Sequence, residues 1–127
     1  MLDTDIVSFA LRGQGQVGAT ILRHRPSEIC VSAITVAELS FGADRRNSSK
    51  LREIIARFVA SVQVLPFDEA CGEHFGAIAA ELMRRGTPIG DFDVLIAAHA
   101  VSVDATLVTN NVKHFARVRG LRVANWF

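Results

Sequence analysis

Short segments rich in β-branched residues alternate with longer helical patterns along the chain, and this alternation limits the fold more than any other feature. Strands are predicted over residues 1–3, 28–33, 62–67, 106–109 and 121–124. Strands that alternate with helices are typical of a largely parallel sheet covered by helices on both faces. The sequence therefore predicts one α/β domain over residues 1–127, with three layers and a central, mostly parallel sheet of about five short strands.

The helical patterns differ in how much of their surface is apolar. From Leu51 to residue 62, apolar residues recur at the spacing of one helix face. Asp68 is predicted to cap the next helix, and Asp91 a helix over residues 92–103 that is apolar on nearly every side and therefore buried. Helices are also predicted over residues 17–24 and from Thr35, while residues 6–11 fit a helix or a second strand.

The composition favours a cytoplasmic protein with a covered surface. No apolar run approaches the roughly 20 residues of a membrane span, and Asp3 and Asp5 stand where a signal peptide would carry positive charge. Cys30 and Cys71 lie in apolar patterns, so we expect buried thiols. A mean hydropathy of +0.27 is high for a small soluble chain, which predicts that a partner or a second copy hides apolar surface.

The cationic side chains are clustered although the net charge is only +1. The clusters fall at residues 23–25, 45–52, 84–85 and 113–122. Each could contact phosphate, but charge alone favours solvated helix faces and helix ends.

Acidic residues are predicted to converge at one edge of the sheet. Asp3 and Asn110 follow predicted strands, and Glu38 and Asp93 fall in the first turn of predicted helices. Sites in such folds form at the carboxyl ends of the strands. Carboxylates from distant positions can hold Mg²⁺ or Mn²⁺ and activate a water for phosphodiester hydrolysis. The candidates are Asp3, Glu38 and Asp93, with Asp5 and Asp91 nearby.

Every one of these acids also has a structural interpretation. Thr35 and Glu38 have the spacing of a capping box, and spacing alone favours capping for Glu38. Asp91 and Asp93 stand at a helix start, where acids are favoured by the free N–H groups and the helix dipole. Asp3 fits a cap and a site equally well.

Other polar residues carry weaker signals. Asn110 and the asparagine after it are typical turn residues. The four histidines have no zinc-binding spacing and no nucleophile beside them. We therefore expect these histidines to lie on helix or loop surfaces, except His99, which should satisfy a bond within a buried helix.

Two other classes of protein share parts of this pattern. Residues 13–18 read Gly-Gln-Gly-Gln-Val-Gly, which matches the G-x-G-x-x-G loop of dinucleotide-binding domains. That reading needs residues 6–11 to be a strand, and Arg12 separates them from the loop. A phosphoacceptor receiver domain would need an acceptor at the end of a middle strand, where Asp68 is a poor match.

Several blocks in the chain resemble one family of ribonucleases in order and spacing. They are Met-Leu-Asp-Thr-Asp-Ile, Val-Ser-Ala-Ile-Thr-Val-Ala-Glu-Leu-Ser-Phe-Gly, Val-Leu-Pro-Phe-Asp, Gly-Thr-Pro-Ile-Gly-Asp-Phe-Asp-Val-Leu-Ile-Ala-Ala-His-Ala, Leu-Val-Thr-Asn-Asn and a final Asn-Trp. Together they resemble the VapC toxins of bacterial toxin–antitoxin pairs, which have a PIN-like fold, and most of all the branch that cuts initiator tRNA.

The resemblance implies a set of site residues. Asp3 and Asp93 would be metal-binding acids, Glu38 would complete the site, and Mg²⁺ or Mn²⁺ would be the cofactor. Thr4 and Asn110 would support the site in second place. The resemblance also implies a metal-activated water, a tRNA substrate, a VapB-like antitoxin and a homodimer.

The chain departs from the family pattern at two positions. Asp5 replaces the asparagine that usually follows Asp-Thr, and Asp91 occupies the place often taken by proline. Asp91 could therefore compete with Asp93 as the direct metal ligand, although the following apolar helix aligns better with Asp93.

Overall fold

The computed structural model describes residues 1–127, in which seven helices alternate with four short strands. In chain order they are α1 (Thr4–Leu11), α2 (Val17–Leu22), β1 (Cys30–Ser32), α3 (Ala33–Arg45), α4 (Ser49–Ser61), β2 (Gln63–Leu65), α5 (Glu69–Arg84), α6 (Asp91–Ser102), β3 (Leu107–Val108), α7 (Val112–Phe115) and β4 (Val123–Ala124), with a 3₁₀ turn at Pro26–Glu28. No helix has both the length and the apolar character required to cross a membrane.

All strand pairs are parallel, and one residue joins them into a single sheet. β1 pairs with β2 and β3 pairs with β4. Leu2 forms parallel bridges to Val31 on one side and Val108 on the other. The resulting order is β2, β1, Leu2, β3, β4. The predicted first strand is reduced to this bridge because α1 begins immediately after Asp3.

Alternation of side chains across the sheet creates two apolar cores. Met1 and Leu107 pack in one core with buried residues of α5, α6 and α7. Their neighbours Leu2 and Val108 pack in the other, with buried residues of α1 to α4. Successive side chains of a strand point to opposite faces, so the sheet lies between two helical layers. This confirms the predicted three-layer α/β/α fold.

Two helix starts differ from the prediction. Ser32, not Thr35, caps α3, and its hydroxyl accepts a hydrogen bond from the Ile34 amide. Gly90, not Asp91, is the capping residue of α6, so Asp91 is the first helical residue. A residue that ends a strand is already extended, and Ser32 is therefore placed to cap the helix that follows.

The amphipathic and buried helices are confirmed. Ile55 is buried on the inner face of α4, and Cys71 on the inner face of α5. Asp68 caps α5 by accepting from the Cys71 amide at 3.0 Å. Six residues of α6 are buried, including His99. The His99 Nδ1 lies 2.8 Å from the Ser32 hydroxyl, so its partner is in β1 and not within its own helix.

The two alternative folds do not fit this topology. Residues before the Gly13–Gly18 loop form helix α1, whereas a dinucleotide-binding loop follows a strand. Gly15 has φ +64°, and a Cβ there would lie 3.2 Å from the Phe127 ring, so this glycine allows the C-terminal segment to pack. Asp68 follows the edge strand β2 and serves as a helix cap, not as a central acceptor.

Candidate active site

A polar depression opens at the carboxyl ends of the central strands. Its volume is about 310 Å³, and carboxylates dominate its lining. The lining residues are Asp3, Thr4, Asp5, Ser8, Phe9, Arg12, Glu38, Asp93 and Asn111. The three acids that the sequence singled out therefore converge from the start of α1, from α3 and from α6, together with Asp5.

Asp3 forms the floor of the depression and is held on both carboxylate oxygens. It is only 5% exposed and stands between the Leu2 bridge and α1. One oxygen accepts from the Thr4 amide at 2.8 Å, and the other from the Thr109 hydroxyl at 2.7 Å. Asp3 is thus both a helix cap and a site residue, so the two interpretations of this acid are compatible.

Thr109 is a site residue that the sequence analysis did not single out. It is fully buried, and besides donating to Asp3 its hydroxyl accepts from the Asn111 amide at 3.0 Å. Its position directly after β3 was a usable signal, because a hydroxyl there meets the acid that follows the neighbouring central strand.

Asp5 fixes the loop after β3. One of its oxygens accepts from the Asn110 amide at 3.1 Å, and the other is buried without a hydrogen-bond partner. The Asn110 side chain accepts from the Asn125 side chain at 3.2 Å. Asn111, and not Asn110, lines the depression. The asparagine side chain nearest the acids is therefore one position later than the sequence suggested.

Glu38 meets Thr4 across the depression. The Thr4 hydroxyl donates to the Glu38 carboxylate at 2.6 Å. Glu38 is the sixth residue of α3, whose cap is Ser32, so the proposed capping box with Thr35 is wrong. Thr35 is fully buried inside the helix, and its hydroxyl has no partner. Glu38 thus has no capping role.

Asp93 and Asp91 lie on different sides of α6. Asp93 lines the acidic depression, and its carboxylate lies 3.5 Å from the Nδ1 of His114 on α7. Asp91 is exposed and lines a separate, mostly apolar cavity between α5 and α6. The sequence analysis did not predict α7, so it could not place His114 beside Asp93.

Burial and mutual repulsion make the acids hard to ionise together. The pKa of Asp3 is raised to about 7, chiefly by burial and also by the Asp5 and Asp93 charges, although the bonds from Thr109 and Thr4 oppose the rise. Burial and the Asp93 charge also raise the pKa values of Asp5 and Glu38. No three acidic, histidine or cysteine side chains form a ready-made metal cluster. The excess of carboxylates and the unpartnered Asp5 oxygen nevertheless fit a bound cation.

The raised pKa of Asp3 predicts that the metal-free protein loses stability as the pH rises. The folded protein binds this proton more tightly than the unfolded chain, so the stabilisation is complete below the unfolded pKa and is lost as the pH passes the folded value near 7. Between about pH 5 and pH 8, the free energy of unfolding should fall by about 2–3 kcal/mol from Asp3 alone. Urea unfolding in EDTA measures this change.

Asp3→Asn is the matched control for the pH effect. Asparagine keeps one side-chain oxygen for the Thr4 amide and places an NH2 group opposite the Thr109 hydroxyl, which can accept from it, but it does not titrate. Its unfolding free energy should depend much less on pH. An equally steep dependence in the variant would show that Asp3 is not the responsible group.

Comparisons with known proteins identify the family of this chain. The PIN domain family matches residues 1–121. The tRNA(fMet)-specific endonuclease VapC of Shigella flexneri is 38% identical over 127 residues, with 99% of this chain and 96% of that protein covered. Ribonuclease VapC2 of Rickettsia felis is 35% identical over 133 residues, with the same coverage.

Solved structures show the same fold over the full length. VapBC2 from Rickettsia felis, bound to a DNA fragment from its promoter, superposes with a TM-score of 0.90 at 32% identity and covers 100% of this chain and 98% of that chain. DNA-bound VapBC from Salmonella typhimurium also gives a TM-score of 0.90, at 35% identity, with 100% and 97% covered. This chain therefore belongs to the PIN domain family and, within it, to the VapC ribonucleases.

Proposed function

We propose that this protein is the toxin of a type II toxin–antitoxin pair and that it cleaves tRNA in a metal-dependent reaction. The observation that carries the proposal is the convergence of four carboxylates, from Asp3, Asp5, Glu38 and Asp93, in one depression. Four like charges repel one another strongly when they are partly buried. Their convergence therefore supports a cation bound between them.

Mg²⁺ or Mn²⁺ is the cofactor that suits this site. Both prefer carboxylate oxygens and keep several waters when they bind. When bound, such an ion lowers the pKa of a water and neutralises charge that develops on a phosphate. We assign Asp3 and Asp93 as the ligands, with Glu38 completing the set. Asp91 is a weaker candidate because it lines a different cavity.

The protein's own side chains orient these acids. Thr109 and the Thr4 amide hold both oxygens of Asp3, so its carboxylate cannot rotate freely. The Thr4 hydroxyl holds Glu38 through one oxygen and leaves the other available to accept a proton from an attacking water. Asn111 lines the rim, where its amide can donate to RNA. Attack by water implies direct hydrolysis, with no covalent enzyme intermediate.

The proposed substrate is initiator tRNA. Relatives from Shigella flexneri and Salmonella typhimurium, at 38% and 35% identity, are named tRNA(fMet)-specific endonucleases. An exposed loop of a folded RNA presents unstacked bases and an accessible backbone, which an open depression can reach. Because tRNA is cytoplasmic, we place the reaction in the cytoplasm.

The proposed protein partners are a VapB-like antitoxin and a second copy of this chain. The solved relatives include VapBC assemblies from three organisms. An apolar cavity between α3 and α4, lined by Val36, Ile55 and Val59 among others, suits an antitoxin segment. Met83 is 79% exposed and Phe92 is 55% exposed, which supports burial against another subunit.

Removing metal is the test of this function. With EDTA, we expect cleavage of an initiator tRNA transcript to stop, and added Mg²⁺ or Mn²⁺ should restore it. The same ions should raise the melting temperature of the wild-type protein, because they bind only the folded carboxylate site. They should have much less effect on Asp3→Asn. Undiminished cleavage in EDTA would contradict the metal-dependent mechanism.

A further inference from the structure

A second cavity shares a wall with the acidic depression. Ser8, Arg12 and Glu38 line both. Beyond this shared wall, Arg45 and Arg46 at the end of α3 line the second cavity. Acidic side chains therefore line the depression on one side of this wall, and cationic side chains line the cavity on the other.

None of the three arginines of this cavity has an acidic partner. Neither Arg45 nor Arg46 forms a side-chain ion pair, and the neighbouring acid Asp44 is already bound by Arg52 at 2.6 Å. The Arg45 guanidinium lies over the Phe41 ring at 5.9 Å, which supports its plane and leaves its N–H edge available. All three arginines of the cavity are exposed.

Helix ends explain part of this arrangement but not all of it. Arg12 is the C-cap of α1 and Arg46 is the C-cap of α3, where cations complement the helix dipole. That effect acts on each helix separately. It does not account for two helices that end with their arginines in one cavity beside the acids.

We propose that Arg12, Arg45 and Arg46 form a groove that binds a backbone phosphate of the RNA next to the phosphate that is cleaved. This inference rests on the proposed ribonuclease function. The planar N–H fork of arginine matches phosphate oxygens, and its charge is permanent. Phosphate contacts position a nucleic acid without reading its sequence. The groove therefore sets which way the strand runs past the acids, and base recognition lies elsewhere.

The salt dependence of RNA binding distinguishes a phosphate-binding role from a structural one. For single-stranded RNA, each phosphate that is no longer neutralised should reduce the slope of log K against log salt by about 0.7. The binding of an initiator tRNA transcript would be measured in EDTA, which prevents cleavage. Arg45→Gln/Arg46→Gln should bind about tenfold more weakly at low salt, with a slope reduced by about 0.7. In Mg²⁺, its KM should rise by a similar factor, with little change in kcat.

Arg84→Gln is the matched control. Arg84 is likewise exposed in the last turn of a helix, α5, but lies outside the groove. We expect wild-type affinity and slope for this variant. The melting temperature of every variant would also be measured, and a change in slope without a change in melting temperature is the result that supports the groove.

The outcomes separate this inference from the function on which it rests. If the wild type cleaves RNA and the double variant keeps its KM and salt slope, the groove proposal fails and the nuclease stands. If the wild type neither binds nor cleaves RNA, both fail. If the double variant binds RNA normally but is no longer neutralised by its antitoxin, the groove belongs to the antitoxin and the proposal is overturned.

Discussion

Asp93→Asn is expected to lower kcat/KM for tRNA cleavage by about a hundredfold to a thousandfold. The substitution removes one of the acids that we assign to the cation, and it keeps the size of the side chain. Asp93 is the third residue of α6 and makes no capping bond, so the helix should form normally in the variant. Single-turnover cleavage in saturating Mg²⁺ measures the effect.

Asp91→Asn is the control for that experiment. It changes the charge of the same helix turn by the same amount but affects a carboxylate in a different cavity. Its kcat/KM should stay within about threefold of wild type, since only exposed, screened charge is removed. If Asp91→Asn abolished cleavage and Asp93→Asn did not, our assignment of the ligand would be reversed.

Leu2→Ala is expected to destabilise the protein by about 3 kcal/mol. Leu2 is 1% exposed, lies in the middle of the sheet and joins the two strand pairs. Truncation leaves a cavity in the core between the sheet and helices α1 to α4, and the backbone bridges on both sides of Leu2 limit how far this residue can move to fill it. Urea unfolding in EDTA gives the free energy, and a protein of this size should melt about 10 °C lower.

Leu22→Ala tests whether burial is the cause. Leu22 is 86% exposed on α2, so the same chemical change should cost less than about 0.5 kcal/mol. Equal destabilisation in both variants would show that burial of the Leu2 side chain is not the cause. Because Asp3 follows Leu2 directly, we also expect weaker metal binding in Leu2→Ala.

The sequence predicted the helices that a pattern of apolar residues within the helix itself determines. The single apolar face of α4 and the apolar surface of α6 appear as such in the structure. Helix starts were less predictable because several residues compete for each cap. Ser32 takes the cap of α3 since it ends β1, and this moves Thr35 into the helix. A capping box cannot be recognised by spacing when the preceding strand supplies a better cap.

In the candidate site, too, some residues could be predicted from the sequence and others could not. The positions of Asp3, Glu38 and Asp93 after strands and near helix starts predicted that they converge, and they do line one depression, whereas their role as a site was implied by the family resemblance. The partners of these acids were not predictable. Thr4 reaches Glu38 from 34 positions away, and Thr109 reaches Asp3 from 106 positions away. Such contacts depend on the register of parallel strands, which local pattern does not determine.

The pairing of residues near opposite ends of the chain has a consequence during synthesis. Asp3 is held by a backbone bond to Val108 and a side-chain bond from Thr109, so the acidic site is incomplete until that distant segment has left the ribosome. Contacts of such long sequence separation form late in folding. On the proposed function, the chain therefore cannot act as a ribonuclease until almost all of it has been synthesised.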